Sequence, residues 1–206
     1  MIKMVITSVK KTRRNNISVF VDGEYFSSFD SAIWFSSGLS AGSEVCQEKL
    51  DDLLDKSNRA VANRKALSLL SGKSYTERQL TEKLALKAGY NAAANTVSRM
   101  KELGYVDDAD YARRYAKDLY KMKCYASRRI SYELQKRGIA KEIISDILSS
   151  YEKADDEARA LSLVETRFGI FESDADIRRA AALLERYGYS TDVIHSVIKS
   201  FDREVE

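Results

Sequence analysis

One internal repeat constrains this chain more than any other feature. Gly89-Tyr90, Gly138-Ile139 and Gly188-Tyr189 stand 49 and 50 residues apart. After the second glycine come Ile143, Ile144, Ile147, Leu148 and Tyr151; fifty positions later stand Val193, Ile194, Val197, Ile198 and Phe201. Five apolar positions in one register define a unit of about fifty residues, a period that belongs to stacked modules covering one another's apolar faces. The first copy is less regular, since Val97 and Met100 fit only after a shift of three.

Each unit reads as three helices, spanning about 59–104, 107–151 and 155–202. The 206 residues include no proline, so no helix interior loses a backbone donor in that way. The repeated glycines follow the second helix of each unit, where a left-handed residue closes a helix. Ser74-Tyr75-Thr76-Glu77 reads as a capping box, with Ser74 serving an early N–H and Glu77 reaching back. The first thirty residues differ. Met4, Ile6 and Ser8, then Ile17, Val19 and Val21, alternate as strand residues do, separated by the polar run Lys10–Asn16. Asp22-Gly23 offers a tight turn before Tyr25, Phe26 and Phe29. Residues 31–57 read as two short helices around Gly38 and Gly42, the first capped by Asp30 or Ser31.

The predicted fold is therefore mainly α: three tandem three-helix repeats forming an elongated, curved helical array, preceded by a small N-terminal β-hairpin or meander. The expected boundaries are 1–57 for the N-terminal β-segment and short helices, 58–105 for repeat one, 106–153 for repeat two and 154–206 for repeat three.

The net charge of +3 conceals a strong division along the chain. From Tyr111 to Lys141, ten Lys or Arg stand against Asp118 and Glu133, a local balance of +8. From Tyr151 to Glu206, eight basic residues face thirteen acidic ones, and residues 1–16 hold five basic residues and no acid. A concentrated positive centre attracts polyanions. On the helix around 110–124, Tyr111, Ala112, Tyr115, Leu119 and Met122 mark the inner side, and Arg113, Lys117, Tyr120 and Lys121 the outer one. On the next helix, Ile130 and Leu134 mark the inner side, and Arg128, Arg129, Tyr132, Lys136 and Arg137 are assigned to the contact set. Arg128, Tyr132 and Lys136 form a basic ladder with an aromatic rung. A face built only for solubility mixes signs, whereas Lys and Arg neutralise phosphates and an exposed tyrosine stacks on a base.

The same sequence argues against chemistry. His195, the single histidine, sits among Val193, Ile194, Val197 and Ile198 as an ordinary helix residue. Asp107-Asp108-Ala109-Asp110 suits a helix start, through capping and the dipole, better than a metal site. No G-x-x-x-x-G-K-[ST] phosphate loop occurs, and Cys124 has no histidine close in sequence to serve as base. Cys46 and Cys124 share no metal or redox spacing, and no run reaches the roughly 20 apolar residues of a membrane helix. The expectation is a cytoplasmic, monomeric, non-enzymatic protein without cofactor, metal or membrane partner.

Two motifs then carry a resemblance. Gly104-Tyr105-Val106-Asp107-Asp108-Ala109-Asp110-Tyr111-Ala112 is similar to the G-Y-[IVL]-[DN]-D-x-x-[FY]-A signature of the RecX family. Arg129–Ile139 resembles that family's R-I-x-x-E-L-x-x-K-G-I stretch, with Arg137 in place of the lysine, and Ala66–Leu70 with Arg78-Gln79-Leu80 and Lys83-Leu84 echoes its first repeat. Two departures stand out: Leu84–Gly89 is one residue longer than the usual L-x-x-K-G spacing, and Ala140 occupies a position where a capping Ser or Thr is common. The resemblance implies a regulator of homologous recombination, DNA repair and the SOS response that binds the RecA recombinase filament, limits its ATPase and strand exchange, and touches single- or double-stranded DNA there. The residues themselves leave two rivals open, a helix-turn-helix DNA-binding protein and a helical protein-interaction scaffold, which the salt dependence of DNA binding separates.

Overall fold

Alternation places Ile17, Val19 and Val21 on one face of a strand, and all three are buried against Ile6, Phe29 and Trp34. The computed structural model describes residues 3–12, 16–151, 154–169, 171 and 173–202. Arg13, Arg14 and Asn15 of the polar run lie outside the described residues. The strands β1 (Lys3–Lys11), β2 (Asn16–Val21), β3 (Glu24–Asp30) and β4 (Glu44–Cys46) form an antiparallel sheet in the order β3-β2-β1-β4. Asp22 and Gly23 both take positive φ, 49° and 91°, the two-residue turn whose twist matches the flanking strands. The meander expected from sequence thus gains a fourth strand. Three residues are too few for period-two alternation to show.

Residues 31–57 do not form two short helices. Asp30 caps a single short helix, α1 (Ser31–Ser36), its Oδ1 accepting from the N–H groups of Ala32 and Ile33 at 3.1 and 3.5 Å. After β4 the chain enters α2 (Gln47–Leu70), which continues without a break through residues 57 and 58. Leu50 and Leu53 of α2 pack under the sheet, whereas Ala66 joins the core of the following helices α3 (Glu77–Ala88) and α4 (Tyr90–Glu102). One helix therefore serves two cores, and a helical period cannot reveal such a change of partner. The chain divides into two compact units, one ending at Val106 and the next beginning at Asp107.

The cap of α3 falls two residues later than Ser74. Thr76 Oγ1 accepts from the N–H of Gln79 at 3.2 Å, and Gln79 Oε1 accepts from the N–H of Thr76 at 3.4 Å. Tyr75, just before the cap, is buried in the same core as Leu80, and this apolar staple selects Thr76 over Ser74. A single residue, Gly89, joins α3 to α4, whereas four residues join α6 (Ser127–Lys136) to α7 (Lys141–Ser149). The difference is the shift of three needed to bring Val97 and Met100 into register with the second copy.

In the second unit, α5 (Asp108–Lys123), α6 and α7 enclose Ala112, Ala116, Leu119, Ile130, Leu134, Ile144 and Ile147. Each fully buried Leu or Ile contributes on the order of 1.5–3 kcal/mol. Met122, expected on the inner side of α5, is 78% exposed, since the alanines let the helix approach along the Ala112–Ala116–Leu119 stripe instead. The helices α8 (Ala154–Phe168), α9 (Asp174–Tyr187) and α10 (Thr191–Asp202) repeat the arrangement around Ala160, Val164, Ala180, Leu184 and Val197. The residues that begin α7 and α10 differ. Ala140 offers no side-chain cap, while Ser190 Oγ, fifty positions on, accepts from the N–H of Val193 at 3.4 Å.

Two substitutions test this arrangement. Ala140→Ser is expected to stabilise the second unit by about 0.5–1 kcal/mol, read as a higher urea midpoint at unchanged slope. Gly188→Ala is expected to cost on the order of 2–4 kcal/mol, because φ is +89° and the new Cβ would lie 2.6 Å from the Arg129 backbone nitrogen. A melt unchanged by that alanine would contradict the close approach of Gly188 to α6.

Candidate polyanion-binding face

The face of α6 follows from spacing alone. Ile130 and Leu134 are fully buried, so Arg128, Tyr132 and Lys136, also four apart, emerge on the far side. All three are exposed, Tyr132 at 54%. Among the described residues, neither Arg128 nor Lys136 has a carboxylate within salt-bridge distance. On α5, Arg113, Lys117 and Lys121 are likewise exposed at four-residue intervals. Arg128, Arg129 and Tyr132, with Glu185, Arg186 and Gly188 from the end of α9, line an open groove of about 320 Å³.

Three residues of the expected contact set are engaged elsewhere. Arg129 is half-buried: its Nη2 donates to Glu133 Oε1 at 2.9 Å, and its guanidinium lies 5.5 and 5.3 Å from the ring centres of Tyr125 and Tyr132. It positions Tyr132 from one side. Arg137, where α6 ends, turns back. Its Nη1 donates to the backbone oxygen and Oε2 of Glu133 at 3.1 and 3.3 Å, and its guanidinium sits 3.9 Å from the Tyr115 ring centre. Burial pushes the Tyr115 hydroxyl above its ordinary range, against the pull of Arg137. A helical wheel treats every guanidinium as outward, but a long stem lets one lie flat on an aromatic face.

Tyr120 is the third. Its ring stacks on Tyr151 at 4.5 Å, its O–H donates to Asp155 at 3.2 Å, and the Arg159 guanidinium lies 3.4 Å from its ring centre. It belongs to the junction between the second and third repeats, built around the turn from α5 to α6. Cys124 ends α5 in the left-handed conformation, φ 54°. Helix ends and turns leave carbonyls without intrahelical partners, and here α8 supplies them. Arg159 Nη2 donates to the backbone oxygens of Tyr120 and Tyr125 at 2.9 and 3.0 Å, while Nη1 donates to Asp156 at 3.0 Å. The Tyr189 hydroxyl donates to the Cys124 backbone oxygen at 2.8 Å, and the Ala126 N–H donates to the Tyr187 oxygen at 3.0 Å. Ala126 itself is buried in the core of the third repeat. α6 therefore starts from an anchored point.

Arg186 is the groove residue that the sequence reading missed. It stands fifty positions after Lys136, so the repeat carried the signal. The acidic run behaves as a cap, Asp107 Oδ1 accepting from the N–H of Asp110 at 2.9 Å. His195 is exposed. Among the described residues no three His, Cys, Asp or Glu are grouped so as to hold a metal, and no helix is long and apolar enough to cross a membrane.

Residues 107–148 match the family model described as RecX, second three-helix domain. The chain is 30% identical to "Regulatory protein RecX" of Clostridium botulinum (strain Alaska E43 / Type E3), over 97% of this chain and 96% of the relative. It is 35% identical to the protein of the same name from Caldanaerobacter subterraneus subsp. tengcongensis, over 91% and 92%. A crystal structure of regulatory protein RecX superposes with a TM-score of 0.64 at 18% identity, covering 94% of this chain and 98% of that one. A second, RecX from Lactobacillus salivarius, gives 0.60 at 21% identity, over 71% and 97%.

The junction yields a pH prediction. Burial foremost pushes the Tyr189 hydroxyl up to about 12, with Arg159 opposing, against about 10 in an unfolded chain. The folded state retains this proton where the unfolded state has lost it, so the contribution is complete below pH 10 and is lost as pH rises toward 12. Tyr189→Phe is expected to cost on the order of 1 kcal/mol at pH 8 by stranding the Cys124 carbonyl, and to flatten the decline between pH 10 and 12. Urea titrations at stepped pH check both; parallel wild-type and variant curves would contradict the assignment.

Proposed function

Since the chain belongs to the RecX family of regulatory proteins, we propose that it regulates a RecA-type recombinase by binding the recombinase filament in homologous recombination and DNA repair. Its α6 ladder of Arg128, Tyr132 and Lys136, extended by Arg186 at the groove, supplies the contact. The observation that carries this reading is the ladder's exposure without carboxylate partners among the described residues. Cations so placed meet phosphates or acidic side chains, and an exposed ring adds stacking area. The exposed α5 cations Arg113, Lys117 and Lys121 add to the long-range field. Tyr120, Arg129 and Arg137 act through position, holding the face rather than reaching the partner.

Regulation of this kind needs no chemistry. Several weak contacts made together gain from effective concentration, and a protein held across neighbouring filament subunits obstructs their rearrangement. ATP hydrolysis and strand exchange then slow. Titrating the protein into the cognate recombinase on single-stranded DNA is expected to depress both rates. Arg128→Glu with Lys136→Glu, whose side chains lie outside the core, is expected to raise the concentration for half-inhibition at least tenfold while leaving the circular dichroism unchanged. Equal inhibition by wild type and double variant would remove this face from the mechanism.

A further inference from the structure

The first unit holds a second cationic recess, between α2, the sheet and the end of α3. On α2, Ser57, Val61, Arg64 and Ser68 recur at helical spacing and form one stripe, with Asn58 and Lys65 alongside. This stripe faces an open groove of about 560 Å³ whose other walls are Asn16 of β2, Ser28 and Asp30 of β3, and Lys87 in the last turn of α3. A stripe directed at a neighbouring sheet is ordinarily apolar. This one is polar and positive.

The charges do not cancel. Among the described residues Asp30 is the only acidic one lining the groove, and its carboxylate is already occupied: Oδ1 caps α1 and Oδ2 accepts from Arg64. Burial alone would raise the Asp30 pKa, but Arg64 and the N–H groups of Ile33 and Ala32 outweigh it and hold the carboxyl below its ordinary value. Asp30 itself is 5% exposed, and its own N–H donates to the buried Ser57 Oγ at 2.7 Å. The Arg64 side chain is tethered at one end yet 64% exposed, which presents a fixed guanidinium to the groove. Among the described residues, Lys65 and Lys87 have no carboxylate within salt-bridge distance. Three cations, two amides and the exposed Ser68 hydroxyl thus converge on one open recess.

We propose that this groove binds the phosphodiester backbone of single-stranded nucleic acid. Arg and Lys side chains, with amide and hydroxyl donors, are the groups that contact phosphate and sugar without reading sequence. An open groove lined by α2 from Ser57 to Ser68 suits a strand that passes through, and among the described residues Val61 is its only apolar lining residue, too little to anchor a peptide side chain. Arg64 is the fixed centre and Lys65 and Lys87 the flanking phosphate contacts. The proposal goes beyond filament binding and does not depend on it.

The test is the anisotropy of a fluorescein-labelled oligo(dT) titrated with the full chain across a salt series, without recombinase. Lys65→Glu with Lys87→Glu spares Arg64 and its partner Asp30, and Lys65→Arg with Lys87→Arg serves as the conservative control. The reversal is expected to weaken binding at least tenfold at low salt. It is also expected to make the slope of log K against log salt shallower by about 1.4, at roughly 0.7 per phosphate for two lost contacts on a single strand. The arginine pair is expected to bind as wild type does. Wild-type affinity and slope in the reversal variant, no oligo(dT) binding by wild type, or equally tight binding of polyglutamate would each overturn the assignment. All three outcomes leave recombinase inhibition free to persist, so this site and the α6 ladder fail independently.

Discussion

The second unit depends on how the turn between α5 and α6 satisfies its backbone. Cys124 leaves the helical path with φ 54°, and the carbonyls of Tyr120, Cys124 and Tyr125 then need donors that neither helix supplies. The third repeat supplies them through the Arg159 fork and the Tyr189 hydroxyl. A guanidinium suits the task because its donors diverge in a rigid plane, so one side chain reaches two carbonyls and a carboxylate together. Leaving such groups unsatisfied under cover costs more than the bonds themselves contribute. The two repeats are therefore joined by polar backbone contacts as well as by apolar packing, with Ala126 inserted in its neighbour's core.

That junction determines which charges remain available. Of the ten basic residues between Tyr111 and Lys141, Arg129 and Arg137 share Glu133 and lie on tyrosine rings, and Arg114 pairs with Asp110 at 2.8 Å. Arg128 and Lys136 remain directed outward, and the anchored start of α6 brings Arg186 beside Arg128. A positive segment becomes a face only when its members are sorted in this way. The same sorting in the first unit leaves Lys65 and Lys87 beside an arginine whose carboxylate partner is buried.

Much of this was legible in the chain itself. Alternation at Ile17, Val19 and Val21, the turn at Asp22-Gly23, the cap at Asp107 and the glycines closing the second helices are local effects with local causes. The ladder's outward direction followed from its spacing against Ile130 and Leu134. The roles of Tyr120 and Arg137 were not legible, because their partners Arg159 and Tyr115 lie 39 and 22 residues away and on other helices. The choice of Thr76 over Ser74 as cap was hidden for a related reason: it turns on the burial of Tyr75.

The amino-acid sequence by itself determined the repeating helical unit, the strands at its start, the apolar stripe of each helix and the family to which the chain belongs. The first three follow from periodicity, which is set by backbone geometry within a few residues, and the family from the motifs Gly104–Ala112 and Arg129–Ile139. Only the tertiary structure decided that α2 serves two cores, that a fourth strand completes the sheet, and which cations are held inward and which face out. Each of those outcomes depends on donors, acceptors and rings brought together from distant positions, and no local pattern records which of several nearby arginines will find its partner first.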